Sequence, residues 1–262
     1  MTDAARGTLP LAGRHAVITG AGHGIGAAIA RVLAADGASL TLLGRRREPL
    51  MALADSLDAR TTIVTADVSD AEAVRRAFDA ARAERGPVTI LVNNAGQAES
   101  APFRRTTQEL WDRMLAVNLT GTFHCTQTAL PDLVRSPDGR IVNIASTAGQ
   151  RGYAYVSAYS AAKHGVVGLT RSLALELANT GVTVNAVCPG FTETEMLHAS
   201  LATIVAQTGR SVESARAELT KTNPQGRLVQ PAEVAAAVQW LCSAAARSVT
   251  GQCISIAGGE VM

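Results

Sequence analysis

Long apolar runs, paired cysteines and an excess of charge are all missing from this sequence of 262 residues. No stretch approaches eighteen consecutive apolar residues, so a membrane-spanning helix is not expected. The start, MTDAARGTLP, has no apolar signal-peptide core. The four cysteines form neither a CxxC pair nor a metal-ligand pattern. We therefore expect a cytoplasmic protein with reduced thiols, bound to neither metal nor membrane.

The charge of the chain gives no indication of a nucleic-acid partner. The formal net charge is +2, and the arginines are scattered apart from short runs, so nucleic acid is not an expected partner. With 47% hydrophobic and 18% charged residues, the chain has the composition of an ordinary globular protein. No linker and no internal repeat divides it. We expect one domain spanning residues 1–262.

Lysine is the scarcest of the common charged residues, and its placement is informative. Of 24 basic residues only Lys163 and Lys221 are lysines, and only three tyrosines occur. Tyr159 precedes Lys163 by four residues in YSAAK, so a helix places both side chains on one face. A nearby ammonium lowers the pKa of a phenol, and a shift of about two to three units requires roughly 3–4 kcal/mol. We expect the cation to supply this together with a bound nicotinamide in a partly desolvated site. The pair is predicted to exchange a proton near neutral pH, although a solvated Tyr–Lys contact is the commoner occurrence.

Seven short runs of apolar and β-branched residues predict buried strands. Each run holds four to seven such residues and ends in polar or glycine punctuation, which suits parallel strands covered on both faces. The runs are HAVITG, ASLTLL, TTIVTAD, VTILVNNAG, GRIVNIAS, VTVNAVCPG and QCISIAGG.

Helical patterns separate the predicted strands. Their apolar stripes comprise Ile25, Ile29, Val32 and Leu33; Val74, Phe78 and Ala81; Trp111, Leu115, Leu119 and Phe123; and Leu169, Leu173 and Leu177. Strands alternating with helices predict an α/β fold with a doubly wound parallel sheet, whose strand C-termini share one ligand-binding edge. The long stretch 191–227 is expected to be a lid over the substrate pocket, with a plain surface excursion as the alternative.

A glycine-rich turn, TGAGHGIG, follows the first strand and opens the first helix. Gly20 can form the turn, Gly24 lets the backbone approach a pyrophosphate, and Gly26 permits close packing of helix against strand. The helix start offers free N–H groups to phosphates. His23 lies within the turn, where it can approach the phosphate. The pattern predicts a dinucleotide site, with a tight turn lacking a ligand as the alternative.

The end of the second strand bears on the choice of cofactor. A fold that binds NAD usually places an acidic residue there, but this chain has Gly44 followed by Arg45 and Arg46. A guanidinium pairs with a 2′-phosphate, whereas a carboxylate repels it. NADP(H) is therefore the preferred cofactor, with NAD(H) possible. A solvated basic helix start is the alternative.

Polar residues also follow later strands. NNAG, residues 93–96, ends the fourth strand, where Asn94 can tie neighbouring strands and Ala95 and Gly96 are small enough to pass close to a flat group. Asn118 lies on the apolar stripe of its own helix. Either it bridges a local backbone defect or it holds a water in a functional site. Ser146 follows the fifth strand, at the edge that carries the glycine turn.

Taken together, these motifs resemble the short-chain dehydrogenase/reductase family over about residues 12–260. The resemblance implies a Rossmann-type three-layer α/β/α sandwich with a seven-stranded parallel sheet, usually in a homotetramer paired through the helices that contain Asn118 and Tyr159. It also implies roles: Ser146 polarises the substrate carbonyl, Tyr159 exchanges the proton, Lys163 holds the nicotinamide ribose and Asn118 holds a relay water. The expected cofactor contacts are Gly20, His23, Gly24, Ile25, Gly26, Arg45, Arg46, Asp67, Val68, Asn94, Ala95, Gly96, Tyr159, Lys163, Pro189, Gly190, Thr192 and Thr194.

NIASTAGQ, SAYSAAKHGVVGLT and TVNAVCPGFTETEM are similar to segments of β-ketoacyl thioester reductases, 3-hydroxyacyl-CoA dehydrogenases and polyketide ketoreductases. The resemblance implies a small carbonyl or alcohol substrate, for which an acyl carrier protein (ACP) or CoA is one possible carrier. Arg104 and Arg105 can meet acidic carrier residues or CoA phosphates, with a plain solvated face as the alternative. Gln150, Arg151 and Tyr153 are expected near the pocket wall. The alternatives are an NAD(H)-dependent dehydrogenase of a small secondary alcohol, steroid or sugar, and a dinucleotide-binding regulator without turnover.

Overall fold

The computed structural model describes residues 9–262, so most of the stretch considered for a signal peptide lies outside the described part. All seven predicted strands are present and form one parallel sheet. Their bounds are β1 His15–Thr19, β2 Ser39–Gly44, β3 Thr61–Thr65, β4 Ile90–Asn93, β5 Arg140–Ile144, β6 Thr183–Pro189 and β7 Cys253–Ile256.

The strand order is β3-β2-β1-β4-β5-β6-β7. The chain runs outward from β1 to β3, then returns to place β4 on the other side of β1. The order therefore reverses between β1 and β4, and such a reversal opens a crevice at the carboxyl ends of the strands. Both the glycine turn after β1 and the NNAG segment after β4 reach this crevice.

Helices cover both faces of the sheet. Their bounds are α1 Gly24–Ala35, α2 Arg47–Asp55, α3 Ala71–Arg85, α4 Gln108–Leu115, α5 Gly121–Arg135, α6 Ser157–Glu176, α7 Glu195–Thr208, α8 Val212–Thr220 and α9 Pro231–Cys242. One apolar cluster packs α1, α2 and α9 against the sheet, and a second packs α3, α5 and α6 against the opposite face. The predicted three-layer α/β/α sandwich is confirmed.

Alternation along β1 shows why the strand sequences are continuously apolar. Ile18 belongs to the cluster under α1 and α9, whereas Val17 belongs to the cluster under α3 and α5. Successive side chains of a strand point to opposite faces, so a strand buried on both sides needs apolar residues throughout. All five residues of β1 are buried.

Two of the predicted helical stripes need correction. A π-helical turn, Ala116–Thr120, joins α4 to α5 and adds one residue to the helical register. That extra residue rotates the following face, so Phe123 is 44% exposed and Cys125 is buried in its place. Leu173 of α6 and Leu177 directly after it pack on the core as predicted, but Leu169 is only half-buried, and Val166 and Thr170 take the buried positions beside it.

The segment 191–227 is organised rather than irregular. It contains α7 and α8, which pack on each other through Leu197, Leu201 and Ala215. A bridge between Thr192 and Val229 pins its base beside the end of β6. None of the helices in the described residues is both long and apolar enough to cross a membrane.

Candidate active site

The glycine turn and the NNAG segment are joined at the crevice. The hydroxyl oxygen of Thr19 accepts hydrogen bonds from the backbone N–H of Asn94 at 3.0 Å and of Ala95 at 2.9 Å. The Asn94 amide donates to the carbonyl oxygens of Thr19 and Gly20, both at 3.0 Å. A Cβ at Gly20 would lie 2.8 Å from the Cα of Ala95, so no side chain fits between the two segments. Asn94 ties neighbouring strands as expected.

The start of α1 fits a phosphate group. No side chain caps its first N–H groups, and its first turn has no acidic residue. An uncapped helix start carries partial positive charge and unpaired donors, which is the arrangement that binds phosphates. A Cβ at Gly26 would lie 2.3 Å from the carbonyl oxygen of Gly20, which confirms the close helix–strand packing expected there. The residues present therefore fit a dinucleotide.

The base of α7 contacts the glycine turn. A Cβ at Gly24 would lie 3.0 Å from the methyl carbon of Thr194, and Gly24 has a positive φ of 51°. Nδ1 of His23 lies 3.0 Å from a carboxylate oxygen of Glu195. Thr194 also caps α7 by accepting from the N–H of Leu197 at 3.3 Å. The segment 191–227 is thus held against the turn expected to bind phosphate.

The arginines after β2 are exposed and make few contacts with other side chains. Nη1 of Arg45 lies 3.9 Å from a carboxylate oxygen of Asp67, and both side chains are well exposed to solvent. The other oxygen of Asp67 accepts from the N–H and hydroxyl of Ser69. Nη2 of Arg46 lies 2.6 Å from Nε2 of His23, which places this arginine beside the glycine turn. Exposed pairs of this kind contribute little stability, so both guanidinium groups can turn toward an anion.

Asn118 bridges a backbone defect. Its amide nitrogen donates to the carbonyl oxygens of Met114 and Gln97, both at 2.9 Å, and its side-chain oxygen accepts from the N–H of Gln97 at 3.2 Å. The residue is fully buried within the π-helical turn. The first of the two expectations for Asn118 is therefore realised, while its role in holding a relay water stays a prediction.

Ser146 starts the short 3-10 helix Thr147–Gly149 at the end of β5. Its oxygen accepts from the N–H of Ala148 at 3.1 Å, which leaves the hydroxyl hydrogen free to donate to another group. Burial raises the pKa of Tyr159, and the neighbouring Ser146 hydroxyl opposes that rise. The strand-tip serine and the tyrosine of α6 therefore lie close together, while their catalytic roles stay predictions.

Lys163 is buried and points at β5. Among the described residues, its Nζ donates one hydrogen bond, to the carbonyl oxygen of Ile144 at 2.8 Å, although an ammonium has three hydrogens to donate. Burial lowers its pKa to about 8. A Cβ at Gly96 would lie 2.8 Å from the side-chain oxygen of Asn118 and 3.6 Å from Nζ of Lys163, so these groups converge around one glycine.

In the chain without a bound cofactor, the pKa of Tyr159 is not lowered. The ammonium lies 5.7 Å from the centre of the Tyr159 ring, but the pKa of Tyr159 is raised, because burial of the phenol outweighs its hydrogen bond with Ser146. Tyr159 is therefore protonated at neutral pH. The lowering expected from Lys163 together with a bound nicotinamide stays a prediction.

The remaining predicted cofactor residues lie at the same edge. Pro189 ends β6, and the hydroxyl of Thr192 donates to the carbonyl oxygen of Gly190 at 2.9 Å. Ile25 lies in the first turn of α1 and packs on the core. Val68 is buried where α5 begins, 2.6 Å from the position of a Cβ at Gly121, which sets it behind the crevice.

Sequence reasoning missed three residues of this site. Thr19 organises the crevice, Gln97 binds Asn118 and Glu195 pairs with His23. The role of Thr19 could have been predicted from the sequence, because a strand-tip threonine next to a glycine turn can accept hydrogen bonds from backbone N–H groups. The other two make contacts between distant segments, which no local pattern reveals.

Comparison with known proteins agrees with this geometry. A family model described as short chain dehydrogenase matches residues 14–204. A Streptomyces violaceoruber protein named as a ketoacyl reductase of granaticin polyketide synthase is 42% identical over 251 residues, covering 93% of this chain and 92% of that protein. D-beta-hydroxybutyrate dehydrogenase of Cupriavidus necator is 40% identical over 256 residues, covering 96% and 99%.

A solved structure is also similar. The crystal structure of a variant of actinorhodin polyketide ketoreductase with NADPH superposes with a TM-score of 0.89 at 38% identity, covering 94% of this chain and 97% of that one. Its fold and the family match account for the glycine turn, the sheet order and the Tyr–Lys helix together. The chain belongs to the short-chain dehydrogenase family and is an oxidoreductase.

Proposed function

We propose that this oxidoreductase is an NADP(H)-dependent ketoreductase that acts on a 3-oxoacyl thioester carried by ACP or CoA, or the corresponding 3-hydroxyacyl dehydrogenase. The observation that carries the proposal is the convergence of Ser146, Tyr159, Lys163 and Asn118 beside a crevice that fits a dinucleotide. The ketoreductase relatives, one of them solved with NADPH, support the same choice of substrate class and cofactor.

A bound reduced nicotinamide supplies the hydride that the chain itself lacks. The free hydrogen of Ser146 is available to donate to the substrate carbonyl oxygen, which polarises the C=O bond. Tyr159, protonated because burial raises its pKa, gives its proton to the developing alkoxide. Lys163 and Asn118 hold the path by which Tyr159 is reprotonated. The carbonyl thereby gains one hydride and one proton and becomes a secondary alcohol.

A second candidate is favoured by one relative. D-beta-hydroxybutyrate dehydrogenase is named for a small hydroxy acid, and oxidation of such an alcohol runs the same chemistry in reverse. In that direction Tyr159 must first lose its proton. The ratio of oxidised to reduced cofactor in the cell sets which direction runs.

A spectrophotometric panel tests the proposal. The purified protein is assayed with β-ketoacyl-CoA, simple ketones, steroids and sugars, each with NADPH and NADH. We expect the highest kcat/KM with β-ketoacyl-CoA and NADPH. Turnover confined to a sugar or steroid with NAD(H) would refute it, and no turnover with any substrate is what a dinucleotide-binding regulator predicts.

The carrier of the substrate is tested separately. Arg104 and Arg105 are exposed in the 3-10 helix Phe103–Arg105, beside a Phe103 that is 76% exposed. The N–H of Ala101 donates to the carbonyl oxygen of Tyr155 at 2.7 Å, which ties this helix to the loop before α6. Replacing both arginines with glutamate should lower kcat/KM for the CoA or ACP thioester and spare a short thioester without a carrier. Equal losses on both substrates would count against carrier docking.

We also propose a cytoplasmic homotetramer. Phe123 and Val134 on α5 and Leu175 on α6 are exposed apolar side chains on the helices that the family resemblance assigns to subunit pairing. Light scattering after size exclusion should give a mass four times that of the 27.1 kDa chain. Cell fractionation should place the protein in the cytoplasm, and a monomer or a membrane fraction would contradict the proposal.

A further inference from the structure

Tyr153 is held from several directions at the edge of the sheet where the strands end. Its hydroxyl lies 2.7 Å from a carboxylate oxygen of Glu260 and 2.8 Å from the hydroxyl of Thr147. Its ring packs edge-on against Phe191, with 6.2 Å between ring centres, and the guanidinium of Arg151 lies 4.8 Å from the ring centre. These contacts join the ends of β5, β6 and β7.

The direction of the two hydrogen bonds follows from chemistry. A phenol has one proton and a carboxylate only accepts, so Tyr153 donates to Glu260 and the hydroxyl of Thr147 donates to Tyr153. Burial, helped by the hydrogen bond and charge of Glu260, raises the pKa of Tyr153 to about 12. Tyr153 is thus fixed as a neutral phenol whose proton is directed to Glu260.

Glu260 is unusual because it is buried. The residue is 9% exposed, and its second oxygen has no hydrogen-bond partner in residues 9–262. That oxygen lies 2.9 Å from the position a Cβ of Gly190 would take, which explains why glycine follows Pro189. Nη1 of Arg151 donates to the backbone oxygen of Glu260 at 3.2 Å. A buried carboxylate is costly, so its retention here points to a function.

We propose that Glu260 is a positioning residue that fixes Tyr153 as one wall of the substrate cleft. Thr147 directly follows Ser146, and Phe191 begins the segment 191–227, so Tyr153 stands between the proposed carbonyl-polarising serine and the expected lid. With the hydroxyl turned to Glu260, the wall presents ring carbons rather than a polar group. The inference rests on the proposed ketoreductase function and deepens it by naming a residue that shapes the cleft for the apolar part of the ketone.

The test compares a fused two-ring ketone with cyclohexanone. Glu260→Ala lets Tyr153 turn, so KM should rise at least tenfold more for the two-ring ketone than for cyclohexanone. Glu260→Gln keeps an oxygen that accepts from Tyr153 and should restore most of this discrimination. Tyr153→Phe should match Glu260→Ala, since both lose the same hydrogen bond. Glu84→Ala, at an exposed position on α3, is the control. An unchanged ratio of the two KM values in Glu260→Ala overturns the inference.

A tyrosine titration tests the contact between Glu260 and Tyr153 without an activity assay. Ultraviolet difference spectra between pH 9 and 11.5 should show one phenol ionising at lower pH in Glu260→Ala than in the wild type, and Tyr153→Phe identifies that phenol. Identical titrations in wild type and Glu260→Ala overturn the inference. A wild type that reduces neither β-ketoacyl-CoA nor either ketone refutes the proposed function instead, and the titration still decides whether Glu260 holds Tyr153.

Discussion

The ammonium nitrogen of Lys163 lies 5.7 Å from the centre of the Tyr159 ring while it donates to the carbonyl oxygen of Ile144 at 2.8 Å. The two side chains share one face of α6, as residues four apart must. The lysine is thus anchored to β5, and its other two hydrogens remain for additional partners. A planar arginine in the same buried space could not keep this contact and serve further acceptors as well.

Tyr159→Phe removes the hydroxyl that is proposed to donate the proton and keeps the aromatic ring. We expect kcat to fall by about 10²–10⁴-fold, because general acid catalysis contributes that much. The Kd for NADPH, measured by fluorescence, should stay within a few-fold. Tyr155→Phe is the matched control, since Tyr155 is 65% exposed. Full activity in Tyr159→Phe with a good ketone substrate would refute the mechanism.

Lys163 should make the stability of the cofactor-free protein depend on pH. Its pKa is about 8 when folded and 10.5 when unfolded, so between these values the unfolded chain binds more protons. Stability therefore rises with pH across this window, by about 3 kcal/mol for a shift of this size. Below pH 8 both states hold the proton, and the burial of the charge opposes folding.

Urea unfolding at pH 7 to 10.5 measures this effect. The free energy of unfolding of the wild type should rise by about 3 kcal/mol relative to Lys163→Met as the pH increases from 7 to 10.5. Lys221→Met is the control, because the only other lysine is exposed. A constant difference in the free energy of unfolding between wild type and Lys163→Met across this pH range would show that Lys163 does not carry a buried charge in the folded protein.

Local patterns were enough to predict most of the fold. The seven strands are short runs of apolar and β-branched residues, because helices cover both faces of the sheet. Phe123 was misplaced because a single extra residue in the π-helical turn rotates everything after it. Asn118, which fills that turn, was the available signal, since an inward-facing asparagine already indicated a backbone defect.

The candidate site was only partly predictable. Ser146, Tyr159 and Lys163 follow from their positions at a strand end and on one helix face. Glu260 and Tyr153, by contrast, are 107 residues apart, and nothing near either residue in the chain indicates the contact. The direction of the pKa shift of Tyr159 could not be predicted either, because it depends on how deeply the phenol is buried.

Gly96→Ala tests the convergence of Asn118 and Lys163. The new methyl group would lie 2.8 Å from the side-chain oxygen of Asn118, so that amide must move and strain its bond with Gln97. Overpacking of this kind costs about 1–3 kcal/mol, measurable by urea unfolding, and kcat should fall with it. Gly152→Ala, where nothing lies within 4 Å, should change stability by less than about 0.5 kcal/mol. Equal changes in stability in Gly96→Ala and Gly152→Ala would show that Asn118 and Lys163 do not converge at Gly96.

Arg45 should decide the choice of nicotinamide cofactor. Its only close partner in the described residues is Asp67 at 3.9 Å, an exposed pair that contributes little and leaves the guanidinium able to turn to a 2′-phosphate. Arg45→Ala should lower kcat/KM with NADPH at least tenfold and change kcat/KM with NADH less than threefold. Arg47→Ala, from the same run of arginines and already inside α2, is the control. A wild-type preference for NADH of tenfold or more would contradict this account, because an enzyme selective for NADH gains nothing from a cation where the 2′-phosphate would lie.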